Sequence, residues 1–209
     1  MLIINITAPD LAPEIKRLND LGRGGPAPQR MMKVAGKQLE TDLRDHFTAR
    51  NAEPNKQGWP KKNFWAGISR STALASFSES EAVVSVSEPA INQKVFGGTI
   101  TPKRGRNLAI PQNAEAYAAG SPRNLPANFL RLLVTRSGKV YLVENDPTLR
   151  PRGKKGYKPG MSFSGRFWYR LVPSVTQAPD PRALPYESYL EGSVLSAIRG
   201  VFDSEFEKT

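Results

Sequence analysis

The feature that most constrains this chain is a run of apolar residues at helical spacing. Across residues 26–50, Met32, Ala35, Leu39, Leu43 and Phe47 recur every three or four positions, while Lys37, Glu40, Arg44 and Asp45 take the other faces. At 3.6 residues per turn that spacing gathers the apolar side chains into one stripe, which must be covered by another layer. Pro28 fits the first turn, where its missing N–H has no partner to lose. A second stripe, Tyr186, Leu190, Val194, Ile198, Val201 and Phe202, closes the chain as another amphipathic helix.

Between the two stripes the pattern turns to alternation. Residues 72–78 and 82–87 read as a half-buried hairpin with its turn near residues 79–81, ended by Pro89. Residues 129–135 and 140–144 predict a second hairpin, joined by Arg136-Ser137-Gly138-Lys139, whose glycine suits a positive φ. Shorter strands are expected at residues 107–111 and 166–175, and a helical turn at 90–96. Ahead of the main helix, Thr7 or Asp10 can cap a short helix reaching Leu21, broken by Gly22-Arg23-Gly24-Gly25. Residues 51–70 read as a polar loop pinned by Gly58-Trp59-Pro60 and Phe64-Trp65. The expected fold is α+β: an antiparallel β-sheet flanked by a long helix in the N-terminal half and a C-terminal helix, with long basic loop insertions.

A chain of 209 residues is expected to build one core, so residues 1–209 are read as a single domain. Its 18 Pro and 17 Gly promise long irregular connections. Within that domain, residues 112–165 are read as a basic loop or hairpin insertion, whose part from 145 to 165 has little to bury. No internal repeat is visible. With no cysteine, thiolate catalysis, disulfide scaffolding and cysteine-based zinc sites drop out together. The apolar start lacks the basic flank of a signal peptide, and no stretch has the apolar length to span a bilayer, so a cytoplasmic origin without a membrane partner is expected.

The net charge of +11 is concentrated. Residues 1–90 hold 12 Lys/Arg against 10 Asp/Glu, residues 91–170 hold 15 against 3, and residues 171–209 hold 3 against 6. A basic block of this kind calls for a polyanion or for acidic surfaces on partner subunits. Its candidate contacts are Lys103, Arg104, Arg106, Arg123, Arg150, Arg152, Lys154, Lys155 and Lys158, which can meet phosphates without reading bases. Phe163, Phe167, Trp168 and Tyr169 lie nearby, but the last three carry strand spacing and read as core, not as a base-stacking platform.

Catalytic chemistry has few candidates. His46, the single histidine, sits beside core-facing Phe47 on the main helix and reads as a surface or boundary residue. Glu40, Asp42 and Asp45 read as solvated charges with Lys37 and Arg44 as helical neighbours. Gly97-Gly98-Thr99 and Gly153-Lys154-Lys155-Gly156 lack the spacing of a phosphate-binding loop, and Gly97-Gly98 is read as a sharp turn. The chain is therefore expected not to be an enzyme and to carry no metal or other cofactor.

Taken in order, several segments resemble a known family. They are the helix ending in Arg44-Asp45-His46-Phe47, the Gly58-Trp59-Pro60 loop, the hairpin, Val95-Phe96-Gly97-Gly98-Thr99-Ile100-Thr101-Pro102-Lys103 with Leu108-Ala109-Ile110-Pro111, and the closing helix. Together they resemble the virion morphogenesis, or tail-completion, proteins of Mu-like and related tailed phages. The resemblance is strongest over residues 30–111 and again from Pro181-Arg182 into the last helix, and it departs between Pro111 and Gly165. It implies a helix-flanked antiparallel sheet that assembles as a homo-oligomeric ring at the neck or the top of the tail. It also implies a virion protein assembled in the host cytoplasm, with other phage structural proteins as partners and genomic DNA in the channel. The alternative is a free protein that binds nucleic acid without sequence preference through residues 91–170.

Overall fold

The computed structural model describes residues 1–7, 28–55, 57–145 and 165–206. Within them the chain is α+β, built from helices and antiparallel sheets. It begins with β1 (Leu2–Thr7), α1 (Pro28–Ala52), α2 (Phe64–Arg70), β2 (Thr72–Phe77), β3 (Glu81–Val86) and α3 (Ala90–Val95). There follow β4 (Gly98–Ile100), β5 (Leu108–Pro111), α4 (Ala114–Ala119), a 3-10 turn (Pro122–Asn124), β6 (Leu130–Val134) and β7 (Val140–Glu144). The chain continues through β8 (Phe167–Val172) and β9 (Val175–Gln177) to α5 (Glu187–Phe206). The short helix expected between Asp10 and Leu21 lies outside the described residues, as does nearly all of the 145–165 excursion.

Where one core is expected, contacts divide the chain into two compact units. The first comprises Met1–Pro54, Lys62–Gly98 and Ala178–Thr209; the second comprises Asn55–Lys61 and Thr99–Gln177.

The first unit is the sheet and helix pair that periodicity predicts. Its antiparallel sheet has the order β1-β3-β2, with Ile4 and Leu74 both in register with Val84. Alternation in β3 buries Ala82, Val84 and Val86 completely, and the α1 stripe of Met32, Ala35, Leu39, Leu43 and Phe47 packs over that face. Gly36 permits the close approach: a Cβ there would lie 2.5 Å from Leu74 Cδ1 and 3.0 Å from Ala82 Cβ. Helix α5 covers another side of α1 through Val194, Ile198 and Phe202.

Residues 64–70, expected as loop, form α2. This helix has no side-chain cap and contains Gly67, so it lacks the usual local signals and is held by packing. Ile68 is fully buried, and Trp65 stacks on Phe47 with ring centroids 6.0 Å apart. The apolar N-terminus is not loose chain but edge strand β1, paired with β3 from Leu2↔Val86 to Thr7↔Glu81.

The second unit holds a four-stranded antiparallel sheet of order β5-β8-β7-β6. The predicted 129–144 hairpin is present as β6 and β7, in register from Leu130↔Glu144 to Val134↔Val140. The strand expected at 166–175 is broken by Pro173, which removes a ladder donor, and only its last residue, Val175, belongs to β9, which pairs with β4. Of the three β8 aromatics read as core, Trp168 and Tyr169 are buried, on opposite faces of the strand, whereas Phe167 is 37% exposed and lies edge-on to Tyr141; Trp168 meets Phe129 edge-on at 4.9 Å. Helix α4, unforeseen because only six residues form it, is fixed at its start by Asn113. The Asn113 side chain accepts the Ala116 N–H at 2.7 Å and donates to the Phe167 carbonyl at 2.7 Å. Trp59 pins its loop against Tyr117, with ring centroids 5.3 Å apart.

Candidate functional site

The basic candidates divide into three sets. Lys103, Arg104 and Arg106 lie together on the exposed loop between β4 and β5, where Gly105 adopts φ +92°. Arg123 is exposed on the separate 3-10 turn. Arg150, Arg152, Lys154, Lys155 and Lys158 lie outside the described residues, as do Gly153-Lys154-Lys155-Gly156 and Phe163. Among the described residues, Lys103, Arg104 and Arg106 have no carboxylate within ion-pair distance. Gly97 and Gly98 form a turn with φ +67° and +124°, the use expected of them.

A second candidate surface lies in the first unit and was not foreseen as one site. It is a cleft of about 500 Å³ between α1 and the segment leading into α5. Asp42, Asp45, His46 and Ala49 form one wall; Pro181, Leu184, Pro185, Tyr186 and Tyr189 form the other with Arg182. A polar network holds that second wall in place. Arg50, on α1, donates to Asp180 at 2.7 Å and to Glu53 at 2.7 Å, and its guanidinium lies over Trp65. The Arg182 guanidinium pairs with Glu53, and Ala183 is buried beside it.

His46 Nε2 donates to the Arg182 carbonyl at 3.1 Å. Burial pushes the imidazole below its ordinary pKa of 6.5, and the charges of Arg50 and Arg182 push the same way. The Arg182 carbonyl and Glu53 oppose this without reversing it. At neutral pH His46 is therefore a neutral donor and adds no charge to a cleft whose charged groups are Asp42, Asp45 and the Glu53-paired Arg182.

Two of the three α1 carboxylates, Glu40 outside the cleft and Asp42 in its lining, are not solvated as expected. Glu40 and Asp42 are each only 6% exposed, because α1 is covered by the sheet and also by α2 and α5. Glu40 is fully paired: it contacts Lys37 at 2.7 Å and Arg44 at 3.0 Å and accepts the Leu74 N–H at 3.2 Å. Asp42 is half paired. Its Oδ1 accepts from Gln38 Nε2 at 2.9 Å, while Oδ2 is buried without a hydrogen-bond partner among the described residues. Such an orphaned acceptor costs about 1–3 kcal/mol.

Tyr186 also departs from expectation, since it falls on the apolar stripe of α5 by spacing yet is 79% exposed; Tyr189 is 58% exposed. Among the described residues no group of three or more His, Cys, Asp or Glu is arranged to hold a metal ion, and no helix is long and apolar enough to cross a membrane.

Compared with family models, curated proteins and solved structures, the chain matches none.

Proposed function

We propose that this chain is a structural virion protein of a tailed phage, acting at the head–tail junction as a tail-completion, tail-terminator or neck-connector subunit that assembles into a ring. The observation that carries this reading is the edge strand β1. A lone domain guards such an edge with charge, proline or a bulge. Leu-Ile-Ile-Asn-Ile-Thr has none of these, pairs in unbroken register with β3, and has no strand on its other side among the described residues. A regular, uncharged edge is suited to extension by a neighbouring subunit. The opposite edge, β2, is also uncharged but carries a bulge between Leu74 and Ser76.

The resemblance to virion morphogenesis proteins supports the same reading, and the exposed cations of the 103–106 loop supply a second contact for acidic partner surfaces or for DNA in the channel. Quantitative mass spectrometry of purified particles tests it. The chain should be present at a fixed copy number, and its absence from particles would defeat the assignment.

The same exposed cations favour a second reading, a sequence-neutral nucleic-acid binder. That reading requires the isolated monomer to bind a DNA column and to elute earlier as salt rises.

A further inference from the structure

We propose that the α1/α5 cleft receives the 103–106 loop of a second copy of this chain, so that successive subunits are joined head to tail. This rests on the ring reading above and names a subunit contact, additional to the β1 edge, that would build the ring.

The lining of the cleft selects its ligand. Asp42 is more than nine-tenths buried with Oδ2 unpartnered, and neither it nor exposed Asp45 has a cation within ion-pair distance among the described residues. His46, held neutral, does not cancel their charge. The one cation in the lining, Arg182, is engaged by Glu53, so Asp42 and Asp45 are left without a counter-charge among the described residues. A hard divalent ion would need about six or more oxygen ligands, which two carboxylates one helical turn apart do not supply. The remaining wall is two exposed tyrosine rings with Pro181, Leu184 and Pro185, beside Arg182, which is turned to Glu53. Rings attract a cation over their faces, and apolar surface takes an aliphatic stem. The ligand that uses all of these features is a lysine or arginine side chain.

The chain carries the complementary set. Lys103, Arg104 and Arg106 project from an exposed loop and, among the described residues, have no carboxylate partner, as Asp42 and Asp45 have no cation partner there. Cleft and loop are different surfaces, so a contact between copies is heterologous and closes into a ring when the rotation allows.

Two full-length charge-reversed chains test the contact by sedimentation velocity: Asp45→Lys with the loop intact, and Arg104→Glu/Arg106→Glu with the cleft intact. The parent should associate at low salt and dissociate as salt screens the pairs, at least about tenfold more weakly at 0.5 M than at 0.05 M. Each variant alone sets like charges together and should be monomeric, with parental circular dichroism. Mixed in equal amounts they should associate, because every loop then meets an oppositely charged cleft. Asp42→Asn should weaken parental association about tenfold.

A parent that stays monomeric at low salt, variants that associate as the parent does, or a mixture that stays monomeric while both chains are folded each overturns the proposal. Spermidine binding to a parent whose copies do not associate overturns it too. The virion assignment fails separately: it is lost if the chain is absent from particles, even with charge-swap association intact, and it survives loss of the charge swap if the chain is found there.

Discussion

The Glu40 carboxylate on α1 accepts the backbone N–H of Leu74 on β2 at 3.2 Å, joining the long helix to the edge of the sheet through a side chain. Lys37 and Arg44 bracket the same carboxylate at 2.7 and 3.0 Å, so a single buried acid serves an edge-strand amide and two cations. Removing it leaves the Leu74 amide and both cations without that acceptor. Glu40→Ala should lower stability by about 2 kcal/mol, read as a shift in the urea midpoint at unchanged slope.

The same carboxylate predicts an acid dependence. Burial acts to raise its pKa, but the Lys37 hydrogen bond, the Leu74 N–H and the charges of Arg44 and Lys37 together hold it below the ordinary 4.5. With the folded value depressed, the unfolded chain binds more protons in that window. The stabilisation is complete above about pH 4.5 and is lost as pH falls through the lower folded value. Melting temperature measured from pH 6 to about pH 3 should fall more steeply for the parent than for Glu40→Gln.

In the second unit the Tyr169 hydroxyl donates to the Ala116 carbonyl at 2.9 Å, fastening α4 to β8 inside the aromatic cluster. Tyr169→Phe keeps the ring and loses the donor, and should cost about 1 kcal/mol at neutral pH. Burial also raises the phenol above its ordinary value of 10.0. A raised folded pKa gives stability that is present below pH 10 and lost as pH climbs through the folded value. The variant should therefore show a shallower alkaline decline than the parent in the same melting series.

The β1 edge gives a prediction that separates folding from assembly. Ile3 is 50% exposed, opposite Ser85 in register and on the face away from buried Leu2. Ile3→Lys places a charge on an unguarded edge while removing little packing. Its melting temperature should correspond to a change within about 0.5 kcal/mol, whereas its incorporation into particles should fall well below the parent's in a complementation assay.

What the sequence made legible follows from which signals are local. Leu39, Leu43 and Phe47 announce α1 by spacing alone, and Val84 and Val86 announce β3, because each pattern repeats along a single element. The 103–106 loop was equally legible, since its three cations fall within four residues. Other features depend on residues distant in sequence. Helix α2 exists because Trp65 and Ile68 find α1, not because residues 64–70 favour a helix. Asp42 looks solvated by spacing and is buried because α5 returns across α1 from the far end of the chain. Tyr186 fits the α5 stripe by period, yet it sits just before the helix begins and faces out. The cleft combines these last two misreadings, and no short motif could have marked it.

Asp42 should consequently behave as a residue kept at a cost to the isolated chain. Its Oδ1 is satisfied by Gln38, which donates from the same Nε2 to Ser193 Oγ at 3.0 Å and so bridges α1 to α5. Its Oδ2 is buried and unpartnered among the described residues, and a charged group in that state is more expensive to bury than a neutral amide. Asp42→Asn retains an oxygen for Gln38 and removes the buried charge. The isolated variant should be more stable than the parent by about 1 kcal/mol, measured by urea unfolding at low protein concentration, where association does not contribute. Lower stability at neutral pH would mean that Asp42 already has its counter-charge within the single chain, and the cleft would then have no vacancy for a neighbour's cation.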